Sequence, residues 1–323
     1  MSSIDVHTHV VPAVLQNNGA RSESWPSVNI RSDNDAAVMV RGTVFRVIDS
    51  RSWSVQRRID DMDADGTDIQ VLSPMPELLS HWLPRDEADE LCTIMNEHIA
   101  AMIAEAPNRF RGIGMVPMQD PDLAVQRLHD VKALGLQGIE IGTHINRVPL
   151  GDPSLDVVYA AAEQLNLAIF VHPLHPVGMD RIGSPRELAA ISIFPLETAM
   201  ATMALLGARI QHRFPKLRIL LSHGGGAAPW IAPRVDFAYN ETPLLKQHLP
   251  ETASQTLRRF WFDTITYDAA ALRYLADRVG IKQLVIGSDY PFAIRQKRPA
   301  AFATEALPTA TFASNAAALL NGP

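Results

Sequence analysis

Short apolar runs recur along the whole chain, at 3–7, 68–73, 111–117, 138–142, 168–172, 218–223, 260–264 and 283–288, and a helical pattern follows nearly every one. In 86–106, for example, Leu91, Ile94, Met95, Ile99, Met102 and Ile103 repeat at three- and four-residue spacing, as one buried helix face requires. Ile169, Phe170 and Val171, like Ile219, Leu220 and Leu221, are apolar on both faces. That suits parallel strands covered by helices on one side and a filled interior on the other. A chain of 323 residues has room for two ordinary domains or one large barrel. The eight strand–helix units select the second: an α/β fold, a (β/α)8 TIM barrel, with residues 1–323 as a single domain.

The segment 10–52 breaks the alternation. It is rich in Asn, Ser, Arg and Gly, carries a short β pair at 37–40 and 43–48 around Arg41 and Gly42, and delays the first helix until Ser54. A structureless loop of that length is rare in a compact domain, so a small insertion after the first strand, at the barrel mouth, is expected. Residues 308–323 are expected to form a terminal helix. Pro12, Pro74, Pro117, Pro173 and Pro291 fall at or just after strand ends, where proline cannot extend the ladder. They mark the carboxyl rim, the face that carries the chemistry in such barrels.

Composition removes several classes of function. The 29 Lys and Arg against 35 Asp and Glu leave a net charge of −6 and no basic patch, so no nucleic-acid partner is expected. The lone Cys92 excludes a disulfide framework or a cysteine metal cluster and fits a reducing compartment. No secretory signal opens the chain and no stretch reads as a membrane span, which points to a cytoplasmic protein with no membrane partner. Any metal must then be held by His, Asp or Glu.

His7 and His9 stand at i and i+2 of the first run, so their imidazoles share one face and can share one ion. Alone, they read equally well as half-buried strand histidines. His172 ends the fifth run, His223 the sixth, and Asp289 the eighth. Four strands ending this way gather these groups at one mouth of a barrel. Imidazoles with a carboxylate suit a zinc-like divalent ion that keeps a position open for water.

These residues lie in stretches that run from end to end of the chain: IDVHTH at 4–9, DDMDADGTDIQ at 60–70, VPMQD at 116–120, GIEIG at 138–142, VHP at 171–173, PLET at 195–198, SHGGG at 222–226, RVD at 234–236 and GSDYPF at 287–292. Together they resemble the amidohydrolase superfamily. Within it they are similar to the branch of aminocarboxymuconate semialdehyde decarboxylase and other non-oxidative decarboxylases of aromatic acids. The resemblance implies that His7, His9, His172 and Asp289 bind one Zn2+, with Mn2+ or Co2+ as alternatives. It implies that His223 is the general base or acid beside the metal's water, with Asp289 also in the catalytic pair. No lysine follows a strand where binuclear members carry a carbamylated bridge, which favours a single metal.

The resemblance further implies that Arg46 and Arg234 hold substrate carboxylates, the second donated across the interface of a homodimer. A guanidinium fits that task because its planar fork matches a carboxylate. Read from the residues alone, Arg46 is equally a solvated loop charge and Arg234 a partner of Asp236. Phe292 and His144 are placed beside the substrate, Asp263 orients a neighbouring group, and the glycines at 224–226 permit close backbone approach. After Pro173 the chain departs from the family pattern, with aliphatic and basic groups, among them His175, Arg181 and Arg186, in place of aromatic walls. His81, His98, His129, His212 and His248 are expected on the surface or in packing.

The function expected is therefore zinc-dependent, non-oxidative decarboxylation of a small unsaturated or aromatic carboxylic acid, with a metal-bound water and His223 delivering a proton or hydroxide to the carboxylate-bearing carbon. The alternative on the same site is a metal-dependent hydrolase or hydratase acting on a lactone, an amide or an activated double bond. A metal-stabilised binding protein without catalysis is a third reading.

Overall fold

The computed structural model describes residues 2–16, 19, 21–79 and 81–322. The strands are β1 (Ile4–Val10), β2 (Ser27–Ser32), β3 (Asp35–Val40), β4 (Thr43–Ile48), β5 (Ile69–Pro74), β6 (Phe110–Gly112), β7 (Gly138–Ile141), β8 (His144–Ile145), β9 (Val148–Pro149), β10 (Ala168–Val171), β11 (Ile219–Leu221), β12 (Trp261–Asp263) and β13 (Leu284–Val285). The helices are α1 (Val55–Asp65), α2 (Arg85–Glu105), α3 (Pro121–Ala133), α4 (Asp156–Gln164), α5 (Arg186–Gly207), α6 (Ile210–Arg213), α7 (Ala228–Glu241), α8 (Pro243–His248), α9 (Ala253–Leu257), α10 (Ala269–Val279), α11 (Pro299–Ala306) and α12 (Phe312–Asn321). Each of the eight expected apolar runs overlaps a strand, although at 111–117 the strand covers only the first two residues.

Those strands form two parallel sheets, ordered β1-β5-β6 and β7-β10-β11-β12-β13. Backbone hydrogen bonds join their edges. Beyond β6, Gly114 N donates to Gly138 O at 2.9 Å and Glu140 N to Gly114 O at 2.8 Å. Beyond β13, Val6 N donates to Ile286 O at 2.8 Å and His9 N to Tyr290 O at 2.7 Å. Between β1 and α1 lies an antiparallel sheet, β2-β3-β4. The expected pair is β3 and β4; β2 escapes notice because its sequence, SVNIRS, offers only two apolar residues, of which Val28 alone is buried. Helix α1 begins where expected, and Ser54 caps it, its hydroxyl accepting from Arg57 N at 3.3 Å.

β1 carries a bulge that sets up the site. Asp5 pairs with Gln70 of β5 but Thr8 pairs with Leu72, so β1 has one extra residue between them. The bulge lets two successive residues, Val6 and His7, both face inward. Val6 joins Val71, Ile113, Phe170, Leu220 and Val285 in an apolar cluster covered by Leu319 and Leu320 of α12. His7 and His9 then point toward the opposite, carboxyl end. The outward strand faces, such as Ile169 and Val171, pack in a larger cluster with helix residues including Leu91, Met95 and Leu128.

One expectation about the chain needs correcting. From Glu187 to Gly207, α5 is long and apolar enough by length and composition to cross a membrane, with a mean hydropathy of 1.6 over its most apolar stretch. About half of that stretch, 47%, is buried inside the molecule. α5 packs against α7 on one side and leaves Leu188, Ile191, Leu196 and Met200 exposed on the other.

Candidate active site

β1 supplies His7 and His9, the residue after β10 is His172, and the segment after β13 supplies Asp289. His7 Nε2 lies 3.1 Å from His9 Nε2, and each of these nitrogens lies 3.3 Å from Asp289 Oδ1. With His172 added, the four donor atoms lie within 4.8 Å of one another and all four residues are buried. Each ring is tied from behind. His7 Nδ1 is 2.7 Å from Asp263 Oδ2, His9 Nδ1 2.9 Å from Pro74 O and His172 Nδ1 3.0 Å from Pro173 O. A carbonyl only accepts, so Nδ1 carries the proton in His9 and His172 and their Nε2 lone pairs face the shared centre.

These residues fit a divalent metal. His172 Nε2 is buried without a hydrogen-bond partner, an arrangement that costs about 1–3 kcal/mol unless something accepts its lone pair. Donors held about 2.0–2.2 Å from one ion in tetrahedral array sit roughly 3.3–3.6 Å apart, close to the spacings of His7, His9 and Asp289. The electrostatics agree. Burial lowers His172 first, and the imidazoles of His9, His7 and His223 hold it well below the usual range. Burial likewise lowers His9. Burial would depress His7 as well, but Asp263 and Asp289 outweigh it and lift that imidazole to about 10, so the metal-free cluster keeps one proton there. Burial would raise Asp289, but His223, His7 and His9 hold its carboxyl well below the usual carboxylate range.

His223 stands over this group in a short turn after β11, its Nε2 3.7 Å from Asp289 Oδ2 and its ring centroid 5.2 Å from that of His172. Its Nδ1 is buried and has no hydrogen-bond partner. Both His223 and Asp289 have left-handed backbone, with φ of 54° and 67°, a conformation that costs a non-glycine residue roughly 1–3 kcal/mol and persists where surrounding contacts enforce it. For His223 the enforcing group is Asp263. Its Oδ2 accepts from His223 N and its Oδ1 from Gly224 N, both at 2.8 Å, while the same carboxylate holds His7. Gly226 completes the turn with φ of 57°, and a Cβ there would lie 1.8 Å from Pro195 O of α5. Only glycine fits.

The cluster opens into a cavity of about 1560 Å³ whose walls include Phe45, Arg46, Glu77, His175, Phe194, Trp230, Tyr267 and Phe292. Of the expected substrate residues, Arg46 and Phe292 line it and touch: the guanidinium lies 4.4 Å from the Phe292 ring centroid, and that ring is 5.2 Å from His9. Arg234 is exposed on α7 and does not line the cavity of its own chain. Asp236, its alternative partner, accepts instead from Ser254 N at 3.0 Å. His144 also stands outside the lining, its Nδ1 accepting from Arg147 N at 3.1 Å. His175 lines the wall stacked on Trp82 at 4.4 Å, Arg181 is exposed and off the lining, and the side chain of Arg186 lies outside the described residues.

Two carboxyl groups escape a reading of the sequence alone. Glu77, just after β5, is buried, lines the cavity and bonds Arg46 Nε. Glu140, in β7, is buried with Oε2 3.7 Å from His9 Nδ1, and its burial pushes its pKa well above the usual value. A lone acid inside the otherwise apolar run at 138–142 was the available signal for Glu140; Glu77 follows no such pattern.

A family model described as Amidohydrolase matches residues 4–321. Among relatives, the 2-amino-3-carboxymuconate-6-semialdehyde decarboxylase of Dictyostelium discoideum is 34% identical over 301 residues, covering 92% of this chain and 83% of that protein. Among solved structures, the 5-carboxyvanillate decarboxylase of Sphingomonas paucimobilis matches with a TM-score of 0.74 at 28% identity, over 84% of each chain. The dihydroxybenzoic acid decarboxylase of Polaromonas sp., solved with manganese and 2-nitroresorcinol bound, gives a TM-score of 0.75 at 20% identity over 99% of this chain and 94% of that one, a likeness of fold.

Proposed function

This chain belongs to the amidohydrolase family, and from that premise we propose that it is a metal-dependent, non-oxidative decarboxylase of a small unsaturated or aromatic carboxylic acid. The observation that carries the reading is the convergence of donor atoms from His7, His9, His172 and Asp289, with His172 and Asp289 lining one cavity shared with His223 and Arg46. Relatives that decarboxylate an aminocarboxymuconate semialdehyde and a carboxyvanillate support the substrate class.

His7, His9, His172 and Asp289 would hold one divalent ion, Zn2+ by this reading, with Mn2+ and Co2+ suited to the same nitrogen and oxygen donors. Such an ion, when bound, supplies positive charge that polarises substrate oxygens and lowers the pKa of water. Arg46 holds the substrate carboxylate, and Phe292 gives its conjugated frame an apolar face. His223 moves a proton at Nε2 to the carbon that bears the carboxylate. The carbon–carbon bond then breaks, its electron pair returns to the conjugated frame, and carbon dioxide leaves. The product keeps the new C–H bond, and His223 regains its proton from water. Imidazole suits this role because its pKa lies near neutrality.

The same proposal takes the eight parallel strands as one closed (β/α)8 barrel, residues 1–323 as its single domain and 10–52 as an insertion at the mouth. It takes the working form as a cytoplasmic homodimer. The exposed apolar residues Ile191 and Met200 of α5 and Trp230 and Phe237 of α7 support a partner on that face, and Arg234 on α7 would reach the partner's cavity rather than its own. His144 is retained as a substrate neighbour only through movement of its turn. The test is mass spectrometry of the product formed from aminocarboxymuconate semialdehyde and hydroxybenzoates: loss of the mass of carbon dioxide is expected, and gain of the mass of water would make the chain a hydrolase or hydratase.

A further inference from the structure

Glu77 is an unusual wall residue. Its side chain is 2% exposed, yet it lines the cavity beside His172, His223 and Asp289. Oε1 is bonded by Arg46 Nε, whereas Oε2 is buried with no hydrogen-bond partner. A carboxylate oxygen left bare in a desolvated site is costly, because charged acceptors lose more than neutral ones when unpaired. No neighbouring protein group relieves it among the described residues. Arg46 is in turn pinned over Phe292 at 4.4 Å, so the acid and the guanidinium form one fixed unit facing the cavity.

Resting on the decarboxylase reading above, we propose that Glu77 determines specificity: its free oxygen accepts a hydrogen bond from a hydroxyl or amino group that stands next to the carboxylate held by Arg46. The substrate class is then a conjugated acid bearing an adjacent donor. A second carboxylate at that place meets the negative charge of Glu77 and is rejected, while the donor-bearing acid relieves the bare oxygen. This is selection by a buried polar group that only the right substituent satisfies.

Calorimetry on metal-replete protein tests it with three probes: 2-hydroxybenzoate, 2-fluorobenzoate and benzene-1,2-dicarboxylate. A hydrogen bond to a charged group predicts that the wild type binds 2-hydroxybenzoate roughly 10- to 100-fold more tightly than 2-fluorobenzoate. Glu77→Gln shrinks that preference about 10-fold and strengthens binding of the dicarboxylate by a similar factor. Where Glu77→Gln does not fold, Glu77→Asp, which keeps the charge but withdraws the oxygen, loses the hydroxyl preference alone. Equal affinities in the wild type, a preference unchanged in the variant, or no binding of any probe overturns the assignment. Binding as expected with no release of carbon dioxide from any conjugated acid overturns the decarboxylase reading and leaves the role of Glu77 standing.

Discussion

At the floor of the cavity every imidazole is tied from behind, His7 by Asp263, His9 by Pro74 O and His172 by Pro173 O, and the carboxylate among them is gripped by three histidines. The outer wall is built otherwise. Arg46 comes from an antiparallel sheet, Glu77 from a turn and His175 from a loop, so separate elements carry it. The floor is anchored to strand backbone, so its geometry holds whatever the ligand. The wall answers to the substrate. The contrast predicts that floor variants change metal content or the chemical step, and wall variants change affinity and selectivity.

The largest effect should come from the group that bridges the two. His223→Asn should lower kcat by about 10²- to 10⁴-fold, the usual weight of a general acid–base group, while metal content by elemental analysis stays at the wild-type level. Asp263→Asn keeps shape but removes the charge behind His7 and beneath His223, and should weaken metal affinity about 10- to 100-fold in competition with a chelator. Lowering the pH should weaken metal binding as well. Because His7 holds its proton up to about 10 in the metal-free chain, an entering ion must displace it at neutral pH, so apparent affinity falls about tenfold for each pH unit downward. Arg46→Lys preserves the charge opposite Glu77 but loses the planar fork, and should raise KM about tenfold with metal content unchanged. A loss of metal in Arg46→Lys, or unaltered metal affinity in Asp263→Asn, would break the division between floor and wall.

The same division explains what could be read from sequence. Strand ends are legible because a parallel strand is a continuous apolar run, so an ionisable residue closing it, as His172 does after Val171, stands out and its position on the rim follows. His7 and His9 were placed by period-two geometry, although the bulge that turns both Val6 and His7 inward left no mark in composition. Asp263 was legible as an orienting group for the same reason as the ligands: it ends a strand. Glu77 was not, since a residue in a turn after a proline carries no periodicity, and its partner Arg46 comes from a sheet, β2-β3-β4, distant in sequence. Arg234 shows the converse. Its chemistry is evident from the residue, but its position on an exposed face of α7, off the cavity of its own chain, is not.

The central claim is that His7, His9, His172 and Asp289 hold one divalent ion on which turnover depends. Metal stoichiometry of the purified chain, measured together with carbon dioxide release before and after chelation, tests it directly. The account predicts one ion per chain in the wild type, loss of both ion and turnover on chelation or in Asp289→Ala, and recovery of the wild type when Zn2+ or Mn2+ is restored. Full turnover in metal-stripped protein, or in metal-replete Asp289→Ala, would contradict it.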